Sequence, residues 1–267
     1  MKISHLLQEI NNLHTDDGRN GFFYTLHPLA KLLVTVMFAV TVMSIDKYAL
    51  GTVVFMGLYL AVAFYFSGLS LAACLARVYP VLVMLGFVGI ANPLLDRSVM
   101  LLGTWQVHAG WISFLSLLLK GCWAVLASYL LIATTSIEKI CYALRLLHVP
   151  RLLVTQFLLT YRYLVLLLQE AENVSAAYAL RAPRQKGIHF KVWGSLTGHM
   201  LLRSIERAEN VYASMVMRGF QGEFYYSGLA VSWGSRDFLY LLFSCSLFLL
   251  IRFVPWMFAV KLLEGIL

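Results

Sequence analysis

Residues 152–168 read LLVTQFLLTYRYLVLLL, and the interpretation of this run decides how often the chain crosses a membrane. The run is apolar enough for a span, yet Arg162 stands near its middle. A charge at the centre of a transmembrane helix costs at least about 2.5 kcal/mol. A crossing here would also carry Arg181, Arg203, Arg207 and Arg218 outside, against the inward bias of basic residues. The stretch therefore reads as a long hydrophobic helix packed beneath the membrane spans, and not as a sixth span.

The surrounding sequence demands a bilayer. The 267 residues are 60% hydrophobic and 13% charged, with a mean hydropathy of +0.77, whereas a soluble domain carries about a quarter charged residues. Roughly 20 apolar residues span a hydrocarbon core, and four candidates come early: 29–45, 48–66, 79–95 and 111–133. A fifth lies at 238–260. Polar joints separate the first four at Asp46-Lys47, Ser67 to Arg77, and Asp96-Arg97 to His108. Residues 1–28 hold Glu9, Asp16, Asp17 and Arg19 and no signal-peptide core. They are expected in the cytoplasm, with a short amphipathic helix around Leu6, Leu7, Ile10 and Leu13.

Charge placement fixes the orientation. Lysine and arginine total 21 against 13 acids, and twelve of those 21 fall between Ser136 and Arg236. Nucleic acid is one reading of such an excess; cytoplasmic loops obeying the positive-inside rule is the better one here. Four crossings from an inside N-terminus return the chain to the cytoplasm just before this segment. The expectation is an all-α polytopic fold of about five spans: an N-terminal segment 1–28, helices in 29–135, a cytoplasmic lobe of long helices 136–236, and a last span in 237–267.

The lobe echoes itself. Ala171-Glu172-Asn173-Val174-Ser175-Ala176 runs on to Arg181-Ala182, and Ala208-Glu209-Asn210-Val211-Tyr212-Ala213 runs on to Arg218-Gly219, at a constant offset. Pro183 closes the first helix, since the residue before proline avoids helical backbone; Gly219 closes the second. One reading is mundane: arginine suits a helix C-terminus electrostatically, and a short match can arise by chance among alanine-rich helices. The other is functional. Two like helix ends, each with one guanidinium, suit a partner with two like grooves, such as a dimer of ATPase subunits.

Several motifs in order resemble the T component of energy-coupling-factor transporters, and most closely the cobalt-type Q subunit (CbiQ). They are Thr134-Thr135-Ser136-Ile137-Glu138, Val149-Pro150, Tyr161-Arg162-Tyr163, Leu180-Arg181-Ala182, Leu202-Arg203-Ser204 with Glu206-Arg207-Ala208-Glu209, and Met217-Arg218-Gly219-Phe220. His27-Pro28 with Lys31, and Asn92-Pro93-Leu94, are similar as well. The first arginine motif departs from the family by its Ala182-Pro183, so the role of Arg181 carries over but not its detailed contacts. The resemblance implies a coupling subunit in the bacterial cytoplasmic membrane. Two partner ATPases (CbiO-like) would bind ATP-Mg; a substrate-binding membrane subunit (CbiM-like), with a small accessory one (CbiN-like), would handle cobalt or nickel, in the context of cobalamin biosynthesis. It further implies that Arg181, Ala182, Arg218 and Gly219 meet the ATPases, supported by Glu172, Asn173, Glu209 and Asn210. A vitamin-binding substrate subunit is the alternative within the same class.

Other classes fit the residues less well. No GxxxxGK[ST] phosphate loop occurs, nor HExxH or GxSxG, and the spans hold no carboxylates apart from Asp46 and Asp96 at joints, so neither catalytic residues nor a cofactor are expected in this chain. The seven histidines are scattered and read as structural rather than as metal ligands. The four cysteines read as isolated small hydrophobes. A stand-alone secondary transporter would bury ionisable groups within its spans, and apart from Lys120 the first four have none at their centres. An isoprenoid-type membrane enzyme would need an acidic magnesium cluster, and none is visible. Asn92-Pro93 should break the third span; Gly51, Gly57, Gly86 and Gly89 should permit close helix approach; Tyr48, Tyr79, Trp105, Trp111 and Trp256 suit interfacial belts.

Overall fold

The computed structural model describes residues 22–47, 49–69, 71–95, 99–102, 105–183, 187–222 and 233–253. The expected N-terminal helix around Leu6 to Leu13, Tyr48, Trp256 and the distal end of the last span lie outside these residues. The helices are α1 Phe22–Thr25, α2 Pro28–Ser44, α3 Leu50–Ser67, α4 Leu71–Gly89, α5 Ala91–Leu95, α6 Ala109–Thr134, α7 Ile137–Leu146, α8 Arg151–Arg181, α9 Phe190–Met217 and α10 Ser235–Phe253. The chain is an all-α polytopic membrane protein. By length and hydropathy α3, α6 from Gly110 onward, and α8 can each cross a bilayer, while α2 and the stretch Val78–Pro93 are shorter apolar helices. That α8 meets this criterion while carrying Arg162, Glu170, Glu172 and Arg181 is the tension already present in residues 152–168.

Two connections differ from expectation. The joint expected from Ser67 to Arg77 is much shorter, because Gly68 takes a left-handed φ of 68°, donates its N–H to Tyr65 O and stops α3 at once. The helix formers of 71–78 then start α4 early, and Pro80 falls inside it. Asn92-Pro93 does end the long helix, as a separate α5. The second difference is a hairpin where a polar loop was expected: β1 Val99–Leu102 pairs antiparallel with β2 Trp105–His108 in the register Val99↔His108 to Leu102↔Trp105. Two apolar runs joined by two residues, the first a glycine, carry a hairpin signal that the polar flanks of the loop obscured.

The fold divides into two compact units. In the first, built from α1–α6, the hairpin and α10, α6 is the hub and packs on α2, α3, α4 and α5, while α10 packs on α2 and α3. Phe38, Phe64, Phe248, Met56, Leu60 and Leu126 form the buried centre. Phe248 stands edge-on to both Phe38 and Tyr59, with ring centroids 5.5 and 4.8 Å apart. Close approach is paid for with glycine: a Cβ on Gly57 would lie 2.5 Å from the Trp123 ring, and one on Gly89 2.8 Å from Phe114. Gly121, not singled out by sequence, receives Leu85 in the same way, whereas Gly86 faces open space. The Trp123 indole N–H, donating to Val53 O at 3.1 Å, is held in place by that contact.

One end of this bundle is a polar knot. Lys31, 4% exposed, donates through Nζ to Thr134 O at 3.0 Å and Thr135 Oγ1 at 3.4 Å. His27 caps α2 by accepting from Leu29 N–H at its Nδ1, and its ring stacks on Trp233 at 4.8 Å. Asp237 accepts from His27 N–H at 2.8 Å through Oδ1 and from Gly234 N–H at 3.0 Å through Oδ2. The second contact is half of a capping box, an acid at the third helical position reaching back to the N-cap amide. The starts of α2 and α10 and the end of α6 thus share one end, which is what an even number of crossings between α2 and the end of α6 requires.

The second unit contains α7, α8 and α9. α7 carries Glu138 in its first turn and Arg145 in its last, in accord with the helix dipole. It ends in a Schellman turn: Val149 N–H donates to Leu144 O, His148 N–H donates to Arg145 O, and His148 takes φ 61°. Pro150 then starts α8 at its N-cap. Burial on α7 holds the Cys141 thiol above its usual pKa, and nearby Glu138 adds to the effect. Replacing Lys31 with Met should leave the Thr134 carbonyl and Thr135 hydroxyl without that donor, at a cost of about 1–3 kcal/mol. The measurement is thermal unfolding in detergent; an unchanged midpoint would rule out a structural role for the knot.

Candidate functional site

The candidate site grows from two long helices with almost no core. In α8 only Val154 is buried, and in α9 no residue is. Leu180, Phe190 and Met217 are each more than 80% exposed. Apolar surface on this scale, carried by helices of 31 and 28 residues, is left uncovered by the described residues of the chain itself.

The two helices run antiparallel. His189 N–H donates to the Tyr178 hydroxyl at 3.4 Å, Arg203 forms an ion pair with Glu170, and Thr155 Oγ1 donates to Gly222 O at 3.4 Å. Start of one therefore meets end of the other. The echoed motifs consequently do not converge. Arg218 shares a cavity with Arg162 and Tyr163, while Arg181 lies nineteen residues further along α8 than Arg162. At 1.5 Å per residue the two arginine tips stand on the order of 30 Å apart. Both are exposed.

Their backbones also end differently. α8 stops at Arg181, with the Ala182 N–H bonded to Tyr178 O and Pro183 next. α9 closes in a full Schellman motif: Phe220 N–H donates to Met215 O at 3.0 Å, Gly219 N–H donates to Val216 O at 2.9 Å, and Gly219 takes φ 79°. Glycine is required there by the left-handed backbone, so Gly219 sets the exit direction beside Arg218. Of the other candidates, Asn210 faces the cavity, while Glu172, Asn173 and Glu209 do not line it.

That cavity, about 670 Å³, is a feature sequence reasoning did not assemble. Leu159, Arg162 and Tyr163 form one wall; Arg203, Glu206, Arg207, Val211 and Ser214 form the other; Arg218 and Phe220 close it. The signal was present as spacing: residues 203, 207, 211, 214 and 218 recur at intervals of three and four, which is one helical face. Among the described residues no group of three or more His, Cys, Asp or Glu converges as a metal site, and the four cysteines form no disulfide.

A bundle of apolar helices joined to an antiparallel pair with an arginine-lined groove and unburied apolar flanks defines a multi-helix membrane protein. The family model CbiQ, described as cobalt transport protein, matches residues 22–226, and the chain belongs to that family. The chain is 32% identical over 124 residues to the nickel permease LarQ of Lactiplantibacillus plantarum, covering 46% of this chain and 44% of that protein. It is 26% identical over 240 residues to the uncharacterised protein MJ1571 of Methanocaldococcus jannaschii, covering 84% of this chain and 80% of the relative. The match to the nickel permease thus spans less than half of that protein's length. Gly219→Val should cost about 1–2 kcal/mol by forcing a branched side chain into left-handed backbone, with Arg218 labelling altered more than Arg181 labelling. Equal effects at both arginines would show that the turn does not set the local geometry.

Proposed function

We propose that this chain is the transmembrane coupling (T) subunit of an energy-coupling-factor importer for cobalt or nickel, linking a cytoplasmic ATPase dimer to a substrate-binding membrane subunit. The observation that carries this reading is the pair α8–α9: two long helices with a single buried residue between them, ending in exposed arginines on the order of 30 Å apart. Such helices need partners to cover them, and widely spaced, singly charged tips suit one contact on each of two like subunits. Membership of the cobalt transport family and the name of the nickel permease support the choice of ion.

In this reading the chain is not an enzyme and binds no cofactor; ATP-Mg sits on the partner ATPases. Arg181-Ala182 and Arg218-Gly219 dock into the two ATPases, with Glu172, Asn173, Glu209 and Asn210 supporting the helices behind them. When ATP closes the dimer, the tips move and α8 and α9 carry the motion to the substrate subunit, with which a small accessory membrane subunit would sit. The host membrane is the cytoplasmic one, with the N-terminus and the α7–α9 unit inside. α8 then lies outside the hydrocarbon core despite its apolar composition, which spares Arg162 the cost of a central charge.

Replacing Arg181 and Arg218 together with Ala should weaken ATPase capture by at least about thirtyfold, because buried interface arginines are typical hot spots. Metal uptake should fall with it while membrane insertion persists; normal uptake by the double variant would remove the assignment. Orientation has its own test. Cysteines placed at 181 and 218 in a background lacking the native ones should react with an impermeant maleimide in inverted vesicles and not in intact cells. The opposite pattern would overturn the inside placement of the α7–α9 unit.

A further inference from the structure

We propose that the groove between α8 and α9 binds an anionic phospholipid, with Arg162 and Arg207 holding the headgroup phosphate. Four arginines line it against a single acid, Glu206. Glu170 answers Arg203, while Arg162, Arg207 and Arg218 have no carboxylate within ion-pair distance among the described residues. At about 670 Å³ the groove has the volume of a small-molecule site and far exceeds a lone ion. A guanidinium fork matches phosphate oxygens two at a time, and basic pockets between the helices of membrane proteins take anionic headgroups.

The apolar rim selects lipid over other phosphates. Leu159, Val211, Met215 and Phe220, each only half-buried, line the groove beside the arginines. Acyl chains would cover these side chains, whereas a free phosphate would leave them bare. A lipid also accounts for an arginine inside the run 152–168: its stem follows the apolar surface and its head reaches a phosphate. The inference needs only this chain and is independent of the coupling role. The groove shares Arg218 with the coupling surface, so a bound lipid would sit beside the point of ATPase docking.

The purified full chain in detergent is titrated with dioctanoyl phosphatidylglycerol, dioctanoyl phosphatidylcholine or inorganic phosphate, and bound ligand is counted by native mass spectrometry. Phosphatidylglycerol should bind at least about twentyfold more tightly than phosphatidylcholine, two arginines contributing about fivefold each. Arg162→Gln with Arg207→Gln should abolish that preference, and Lys191→Gln, on the same helix outside the groove, should preserve it. Arg162→Lys with Arg207→Lys should keep most of it, which separates lost charge from lost folding. Equal binding of the two lipids, or an unchanged Gln variant, would overturn the proposal. Displacement of phosphatidylglycerol by equimolar inorganic phosphate would do the same, since the site would then recognise free phosphate. So would protection of Arg162 and Arg207 from phenylglyoxal by a purified partner ATPase in the absence of lipid, which would make the groove a protein contact.

Discussion

Lys31 brings a cation into an apolar bundle and sets it against the C-terminal end of α6. The Thr134 carbonyl it meets is one of the acceptors that a helix end leaves without an intrahelical donor, and the helix dipole makes that end negative. The arrangement satisfies both groups at once. The neighbouring tie from Asp237 to the His27 and Gly234 amides does the same for the starts of α2 and α10. Three helix ends that would each expose backbone polar groups are joined in one buried cluster. The last residues of α6 and the first of α10 both lie in this cluster.

The two units solve different physical problems. The bundle buries Phe38, Phe64, Phe248 and their neighbours, and uses Gly57, Gly89 and Gly121 to bring helices close where lipid offers no hydrophobic drive for association. Its outward faces stay apolar, with Tyr65 and Phe87 more than 80% exposed, as a hydrocarbon solvent permits. The α7–α9 unit has the reverse character. Its long helices meet through a few polar contacts, leave most of their apolar side chains uncovered, and carry much of the basic charge.

The antiparallel course of α8 and α9 separates the two copies of the sequence repeat. Two motifs related by a constant offset become two arginine tips pointing away from a shared contact region near Glu170 and Arg203. The tips consequently stand on the order of 30 Å apart.

Local chemistry alone determined much of this. Apolar runs of span length located the bundle helices, because every backbone amide in hydrocarbon must be satisfied within its own segment. Gly219 announced the end of α9, because few other residues tolerate left-handed backbone. The membrane class and the two arginine-tipped helices followed from the same local rules. Tertiary structure decided what depends on residues far apart in the chain. Lys31 and Thr134, or His27 and Asp237, meet only after the bundle forms, and no local pattern distinguishes them from solvated polar residues. Arg162 read as a charge stranded in an apolar run, and only the packing of α9 set it with Arg207 and Arg218 in one groove. The spacing of the arginine tips likewise required the antiparallel pairing of α8 and α9, since a repeat fixes like environments along the chain but not the direction in which two helices pack.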